Sequence, residues 1–320
     1  MCRSAFSCAA ALVLALGSEA WGQKIMQNWT PPRGAVESRV LSCTNPAPLG
    51  RVAFDDWICP QTGPLIRVCW YGVVLTPGQL ALGRRYYVAI YSHGGVCGPA
   101  NLLYQTCVTP DYRRFCGFDC RQRRVFLFSA PIPPPVFTQT VGTHYWLQIS
   151  EEDATSARVG VEDFRWSAHL PIMNACATQS PFPPGCCIPD DCPNPILVDL
   201  TFHLSAATIA GTINLTARIP GAPAIFQMRL LTPAGDLVES MCLETDDGGN
   251  YWLAPEAPDG TYAVEVIGMG MRPLRGTVMI QMGMEARLDF PNVFYGNLDG
   301  DMDTDLADFQ LLQLGFTGSL

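Results

Sequence analysis

Between Arg51 and Ser205 short runs rich in Val, Ile, Tyr, Phe and Trp follow one another, each bounded by Pro or Gly. They read "RVAFDDWIC", "LIRVCWYGVVL", "RRYYVAIYS", "RRVFLFSA", "HYWLQIS" and "ILVDLTFHLS". In the last, Val198, Leu200, Phe202 and Leu204 fall on one side and Asp199, Thr201, His203 and Ser205 on the other. That period of two belongs to a strand with one buried face. Short strands at this spacing, with no helical period between them, predict a disulfide-rich, jelly-roll-like β-sandwich. The stretch "SPFPPGCCIPDDCPNP", with six prolines and three cysteines, reads as a surface loop inside this unit.

A second alternating set follows: "TIAGTINL", "FQMRLLTPAGDLVESMCLE", "GGNYWLAP", "DGTYAVEVIG", "LRGTVMIQ" and "EARLDF". The turns "TPAGD", "DDGGN" and "PDG" supply Pro early and Gly where a positive φ is needed. This predicts a second, immunoglobulin-like or prealbumin-like sandwich. The pattern changes once more at "GNLDGDMDTDLADFQLLQLGF", which carries five aspartates in ten positions and then Phe309, Leu312 and Phe316 at helical spacing.

Counted from Asn297, that acidic run places side-chain oxygens at loop positions one, three, five, nine and twelve. These are Asn297, Asp299, Asp301, Asp305 and Asp308, with Asp303 at seven, where the backbone carbonyl coordinates. The spacing wraps a hard cation in oxygens, so calcium is the expected cofactor and a short amphipathic helix the expected continuation. Counting from Asp299 instead puts Ala307 at nine and Gln310 at twelve, a poorer cage. A solvated acidic tail is the alternative reading.

Composition narrows the function classes. The chain has 320 residues, 48% apolar, with 29 Gly and 27 Pro, which suits two or three compact, turn-rich domains. A formal charge of −9 argues against a nucleic-acid partner. Arg3, the apolar stretch Ala9 to Leu16 and the small residues Ala20 and Gly22 predict a secretory signal peptide over 1–22, and hence an exported, extracellular protein. No later stretch approaches the roughly 20 apolar residues of a membrane span, so no transmembrane anchor is expected. Of 14 cysteines, Cys2 and Cys8 fall in the leader. Disulfides are the default for the remainder; Cys242 stands alone beyond residue 200, so either it bridges two domains or two thiols stay free.

Candidate catalytic groups are weak. Asp55, Asp56, Glu151, Glu152, Glu162 and Asp163 are carboxylates of the kind glycosidases pair, but nothing in their spacing sets a separation. A solvated strand-end turn for Glu151 and Glu152, and burial of Asp55 or Asp56 against the strand backbone, are the favoured readings. His93, His144, His169 and His203 share no metal-ligand spacing. The arginines of "YRRFCGFDCRQRRVF" suit either an anionic polysaccharide or pairing with local acids. Trp57, Trp70, Tyr86 and Tyr87 suit either sugar stacking or the core.

Three resemblances add expectations. "TDDGGNYWL" with "APDGTYAVEVIG" resembles carboxypeptidase regulatory-like domains over about 207–292, which implies a fold and no catalytic residue. The acidic loop and its helix resemble a single dockerin repeat over 293–320, which implies calcium ligation by Asn297, Asp299, Asp301, Asp305 and Asp308. It departs in having Asn at position one, Met302 where Gly is usual and one repeat instead of two. "FDDWICPQTGPLIRVCWYG" and "RVFLFSAPIPPPVFTQTVGTHYWLQI" resemble an uncharacterised β-rich domain of exported bacterial proteins, here 23–206. The expectation is a secreted, non-catalytic binding, adhesion or scaffolding protein with an extracellular protein or polysaccharide partner. A secreted carbohydrate-active enzyme and a purely structural envelope component are the alternatives.

Overall fold

The computed structural model describes residues 24–26, 34–40, 43, 46, 48, 51–74, 84–95, 98–119, 121–152, 165–169, 178–180, 199–200, 202–215, 224–268, 271–293 and 310. The protein is mostly β and arranged in several sheets, as its alternation predicts. The strands are β1 (Lys24–Met26), β2 (Gly34–Glu37), β3 (Arg39–Val40), β4 (Val52–Ile58), β5 (Gly63–Pro64), β6 (Arg67–Val74), β7 (Tyr86–His93), β8 (Pro99–Val108), β9 (Tyr112–Phe118), β10 (Arg124–Pro131), β11 (Thr138–Gln139), β12 (His144–Glu152), β13 (Arg165–His169), β14 (Thr178–Ser180), β15 (Asp199–Leu200) and β16 (Phe202–Ser205). Then come β17 (Thr208–Leu215), β18 (Ile225–Leu231), β19 (Leu237–Glu244), β20 (Asn250–Leu253), β21 (Gly260–Ile267), β22 (Leu274–Ile280), β23 (Glu285–Arg287) and β24 (Phe290–Val293). Among the described residues, strands up to β16 pair only with each other, and so do the strands from β17 onward.

In the first unit one sheet runs β1-β16-β6-β10-β9 and the other β14-β4-β12-β7-β8. Alternate residues of both enter a shared core that holds Trp57, Trp70, Tyr86, Phe128, Leu147 and Phe202. The opposite faces are covered as well at the central strands, while the edges β8 and β9 stay partly exposed. Behind the second sheet Val52, Phe54, Tyr87, Ala89 and Trp146 form a smaller core under the Cys43–Cys107 disulfide. The burial expected of "ILVDLTFHLS" is thereby corrected: Phe202 and Leu204 are in the core, but His203 and Ser205 are only 5% and 0% exposed. The second unit lies over them.

The second unit packs β19-β18-β21-β22 over β20-β17-β23, with β24 also parallel to β17, around Phe226, Met228, Tyr251 and Val264. β17 needs its glycine: a Cβ on Gly211 would sit 1.9 Å from the Leu288 carbonyl oxygen, which also accepts the Tyr251 hydroxyl at 2.6 Å. Two of the three turns match their chemistry. Gly235 and Gly249 have φ of 96° and 83°, and Asp246 accepts the Gly248 and Asn250 amides at 2.8 Å. Gly260 of "PDG" is the correction. It opens β21 without a positive φ, and its turn is tied by Asp259, which accepts the Met282 amide at 2.8 Å.

The joint between the units is two residues long. β16 ends at Ser205, β17 begins at Thr208, and Ala206 and Ala207 are buried. Fully buried Arg67 spans it, donating to both oxygens of Asp111 at 2.7 and 2.8 Å, to Ser129 at 2.8 Å and to Glu285 of the second unit at 2.8 Å. Burial by itself would lower the guanidinium pKa, but Asp111 and Glu285 outweigh it and hold the group above its ordinary value. A charge this buried is tolerable only because it is matched and bonded on every side. No helix among the described residues is long and apolar enough to cross a membrane.

Candidate ligand cleft between the two β units

Three edge strands converge where the units meet. β9 ends one sheet of the first unit, and β19 and β20 end the two facing sheets of the second. Edge strands leave main-chain donors and acceptors unpaired by a ladder. Here they wall a cavity of about 500 Å³, within the size range of small-ligand sites.

Its aromatic floor is built by strand alternation. In β20, Tyr251 points into the core and Trp252 points out of it. The indole is met edge-on by Tyr112, with ring centroids 6.3 Å apart, and by His203 at 5.3 Å. Leu127 and Met241 supply apolar wall. Polar groups hold the walls together. Burial pushes the Tyr112 phenol above its usual range, so it stays protonated and donates to the Glu244 carbonyl oxygen at 3.0 Å. Arg114 pairs with the Glu244 carboxylate across the units. Glu239 accepts the Glu256 and Ala257 amides at 2.9 and 3.0 Å, which ties β19 to the turn after β20. The cavity therefore has a fixed frame and a mixed aromatic and acidic lining.

The carboxylates singled out in the sequence are otherwise engaged. Asp55 is buried and accepts the Leu200 amide at 2.9 Å. Glu151 pairs with Arg84, and Glu152 accepts the Cys43 amide at 2.9 Å and lies 3.4 Å from Arg85. Glu162 and Asp163 lie outside the described residues. Of the arginine cluster, Arg123 pairs with Asp119, Arg113 lies 5.9 Å over the Phe126 ring and Arg114 faces the cleft, so these three serve different parts of the structure. Trp57, Trp70, Tyr86 and Tyr87 are at most 2% exposed and belong to the cores.

The histidines behave differently from their spacing. His93 and His144 come from separate strands and stack with centroids 4.0 Å apart, while His144 also bonds buried Asp56 and His93 accepts the Trp146 indole N–H at 3.0 Å. Sequence distance hides this cluster, because only the antiparallel pairing of β7 with β12 brings it together. Trp252 and Tyr112 were missed for the same reason. The one available signal is that Trp252 is a large aromatic at the outward position of an alternating strand.

The cysteine default is corrected at Cys69 and Cys116, and at Cys242 the open choice falls to a thiol. Cys69, Cys116 and Cys242 are thiols, and burial pushes Cys69 up to about 12. Cys242 lines the cleft and is exposed. The acidic run Asn297, Asp299, Asp301, Asp303, Asp305 and Asp308 lies outside the described residues, and of the segment expected to be a helix after it only Gln310 is described, as helical.

No family model matches the chain, and no curated protein matches it. Remote likenesses to solved structures include the Bacillus anthracis TIE protein, 10% identical over 74% of this chain and 57% of that one, with a TM-score of 0.19. Another is a variant of BcpA, the major pilin subunit of Bacillus cereus, 9% identical over 75% of this chain and 69% of that one, with a TM-score of 0.17. The chain thus spans a little over half the length of the first of these. At such scores neither likeness carries an argument about what the protein does.

Proposed function

We propose that this chain is an exported, non-catalytic binding or scaffolding protein, associated with carbohydrate or the cell envelope, that holds its ligand in the cleft between its two β units. In this reading the first unit is a jelly-roll-like sandwich and the second an immunoglobulin-like one. The acidic C-terminal loop, EF-hand-like, binds calcium through Asn297, Asp299, Asp301, Asp303, Asp305 and Asp308 and orders its helix for docking.

The observation that carries the reading is the cleft itself. An aromatic floor with polar rims, set between two bodies joined through a buried charge cluster, is preorganised for a ligand and loses little order on binding. The non-catalytic half rests on four of the carboxylates singled out in the sequence: Asp55, Asp56, Glu151 and Glu152 are each bound to a cation, a histidine or a backbone amide. Calcium rests on the oxygen spacing alone.

The test is a binding screen of the secreted chain and a Trp252→Ala variant against glycans and envelope fractions. Retention of one class by the native chain and its loss in the variant is expected. Retention by neither, or equally by both, overturns the cleft as the site. Calorimetric titration with calcium, repeated on an Asp301→Ala/Asp308→Ala double variant, checks the second part. Saturable heat that survives the double substitution would remove those residues from any site.

A further inference from the structure

The lining of the cleft also specifies what kind of group it takes. Resting on the cleft reading above, we infer that the cavity binds a cationic, ammonium-bearing group, held over Trp252 and beside the carboxylates of β19 and of the turn after β20.

Two independent features converge on that choice. The first is charge. Among the described lining residues three carboxylates, Glu239, Glu244 and Glu256, face one guanidinium, Arg114, and one imidazole, His203, and Arg114 is itself paired with Glu244. Arg114 therefore neutralises the acid beside it, and Glu256 stands on the wall as an exposed carboxylate. A carboxylate or phosphate ligand would meet that charge and would have to displace Glu244 from the only guanidinium among these residues. The cost of confronting like charges in a partly enclosed space rises as water is excluded.

The second is the aromatic floor. Indole and phenol faces carry negative quadrupole potential and attract cations, Trp most strongly. Trp252 is met at right angles by Tyr112, with an interplanar angle of 83°, so the two rings present differently oriented surfaces. Tyr112 is locked there by its bond to Glu244, and Leu127 behind it is buried. An ammonium with methyl or methylene substituents satisfies the acidic rim and the apolar floor at once. A neutral hexose would use the floor and leave the acids to water.

A quaternary amine such as choline and a primary amine such as that of glucosamine share this chemistry and come from different envelope polymers. The experiment separates them and also separates this inference from the cleft itself. Calorimetry on the full chain uses choline, its neutral isostere 3,3-dimethylbutan-1-ol, glucosamine and N-acetylglucosamine as probes. Binding of choline or glucosamine is expected, with the matching neutral compound about tenfold weaker or worse. Whichever amine binds more tightly identifies the source. Glu256→Gln, at an exposed side chain whose loss does not threaten folding, should weaken amine binding severalfold at low salt and much less at high salt. Trp252→Ala should weaken it about tenfold.

Equal binding of amine and isostere, or Trp252-dependent binding of neutral glycans without either amine, overturns the cationic preference and leaves the cleft standing. Failure of every probe, together with glycan or envelope binding that ignores Trp252→Ala, overturns both.

Discussion

β21 and β12 are strands of similar length in the two units, and they solve burial differently. In β21 the residues Tyr262, Val264 and Val266 are buried while Thr261, Ala263, Glu265 and Ile267 are not. In β12 every residue from Tyr145 to Glu151 is buried, polar ones included. The second unit turns an outer sheet face to solvent, whereas the central strands of both first-unit sheets are covered on both sides and the edges β8 and β9 are partly exposed. A strand with one wet face advertises its inward positions, and a strand with none has to bury polar side chains in bonded pairs. Gln148 and Ser150 do so by bonding each other and, through Tyr91 and Ser38, their neighbours.

Substitutions on outward positions should break this contrast most clearly. Trp146→Ala, on the covered outer face of β12, is expected to cost about 3–5 kcal/mol by chemical denaturation. Ile225→Ala, 60% exposed on the second unit, should fall within about 0.5 kcal/mol. Similar losses at the two sites would mean that the outer faces do not differ.

Arg67→Ala comes next. It strands Asp111 and Glu285, whose side chains are 46% and 33% exposed and so recover part of their hydration. A loss near the lower end of the range for broken buried pairs, about 3 kcal/mol, is expected. The exposed counterpart in the second unit, Arg275→Ala beside Glu265, should lose less than about 1 kcal/mol, and that little should vanish in high salt.

Crosslinking sharpens the comparison a step further. Removing the Cys43–Cys107 bond with a double alanine variant should lower stability by about 2–4 kcal/mol, since it closes a loop of 64 residues over the outer core. Gly211→Ala tests the interior of the second unit, where the added methyl meets a carbonyl, at an expected cost of about 1–3 kcal/mol. The smallest effect is chemical. At pH 8 Cys242 should alkylate in the native protein, whereas Cys69, buried and held as a thiol up to about pH 12, should react only after denaturation. Equal labelling of the two would contradict their placement.

Much of the fold was legible locally. The strands quoted from the sequence follow from local apolar and alternating runs, and the turn at Gly249 from "DDGGN", because those signals depend on neighbours one to four residues away. The ten-residue edge strand β8 was not among them, since only one of its positions is buried and it gives no buried face to read. The "PDG" turn misled because its anchor is Met282, 23 residues from Asp259, and not a glycine conformation. The candidate site was almost illegible. Tyr112 and the Glu244 carbonyl are separated by 132 positions, and the stacked histidines lie on strands whose pairing no motif encodes.

The sequence by itself determined the β class, the turn chemistry at Gly235 and Gly249, the net acidity and the oxygen spacing after Asn297, since each is a property of residue type and short-range order. The tertiary structure alone decided which outward faces are buried, why Arg67 sits between two units and how Trp252, Tyr112, Arg114 and Glu244 come to share one cavity. Those outcomes depend on which sheet edges meet across the two-residue joint. Side chains brought together from separate strands acquire burial and charge partners that no local stretch of chain contains.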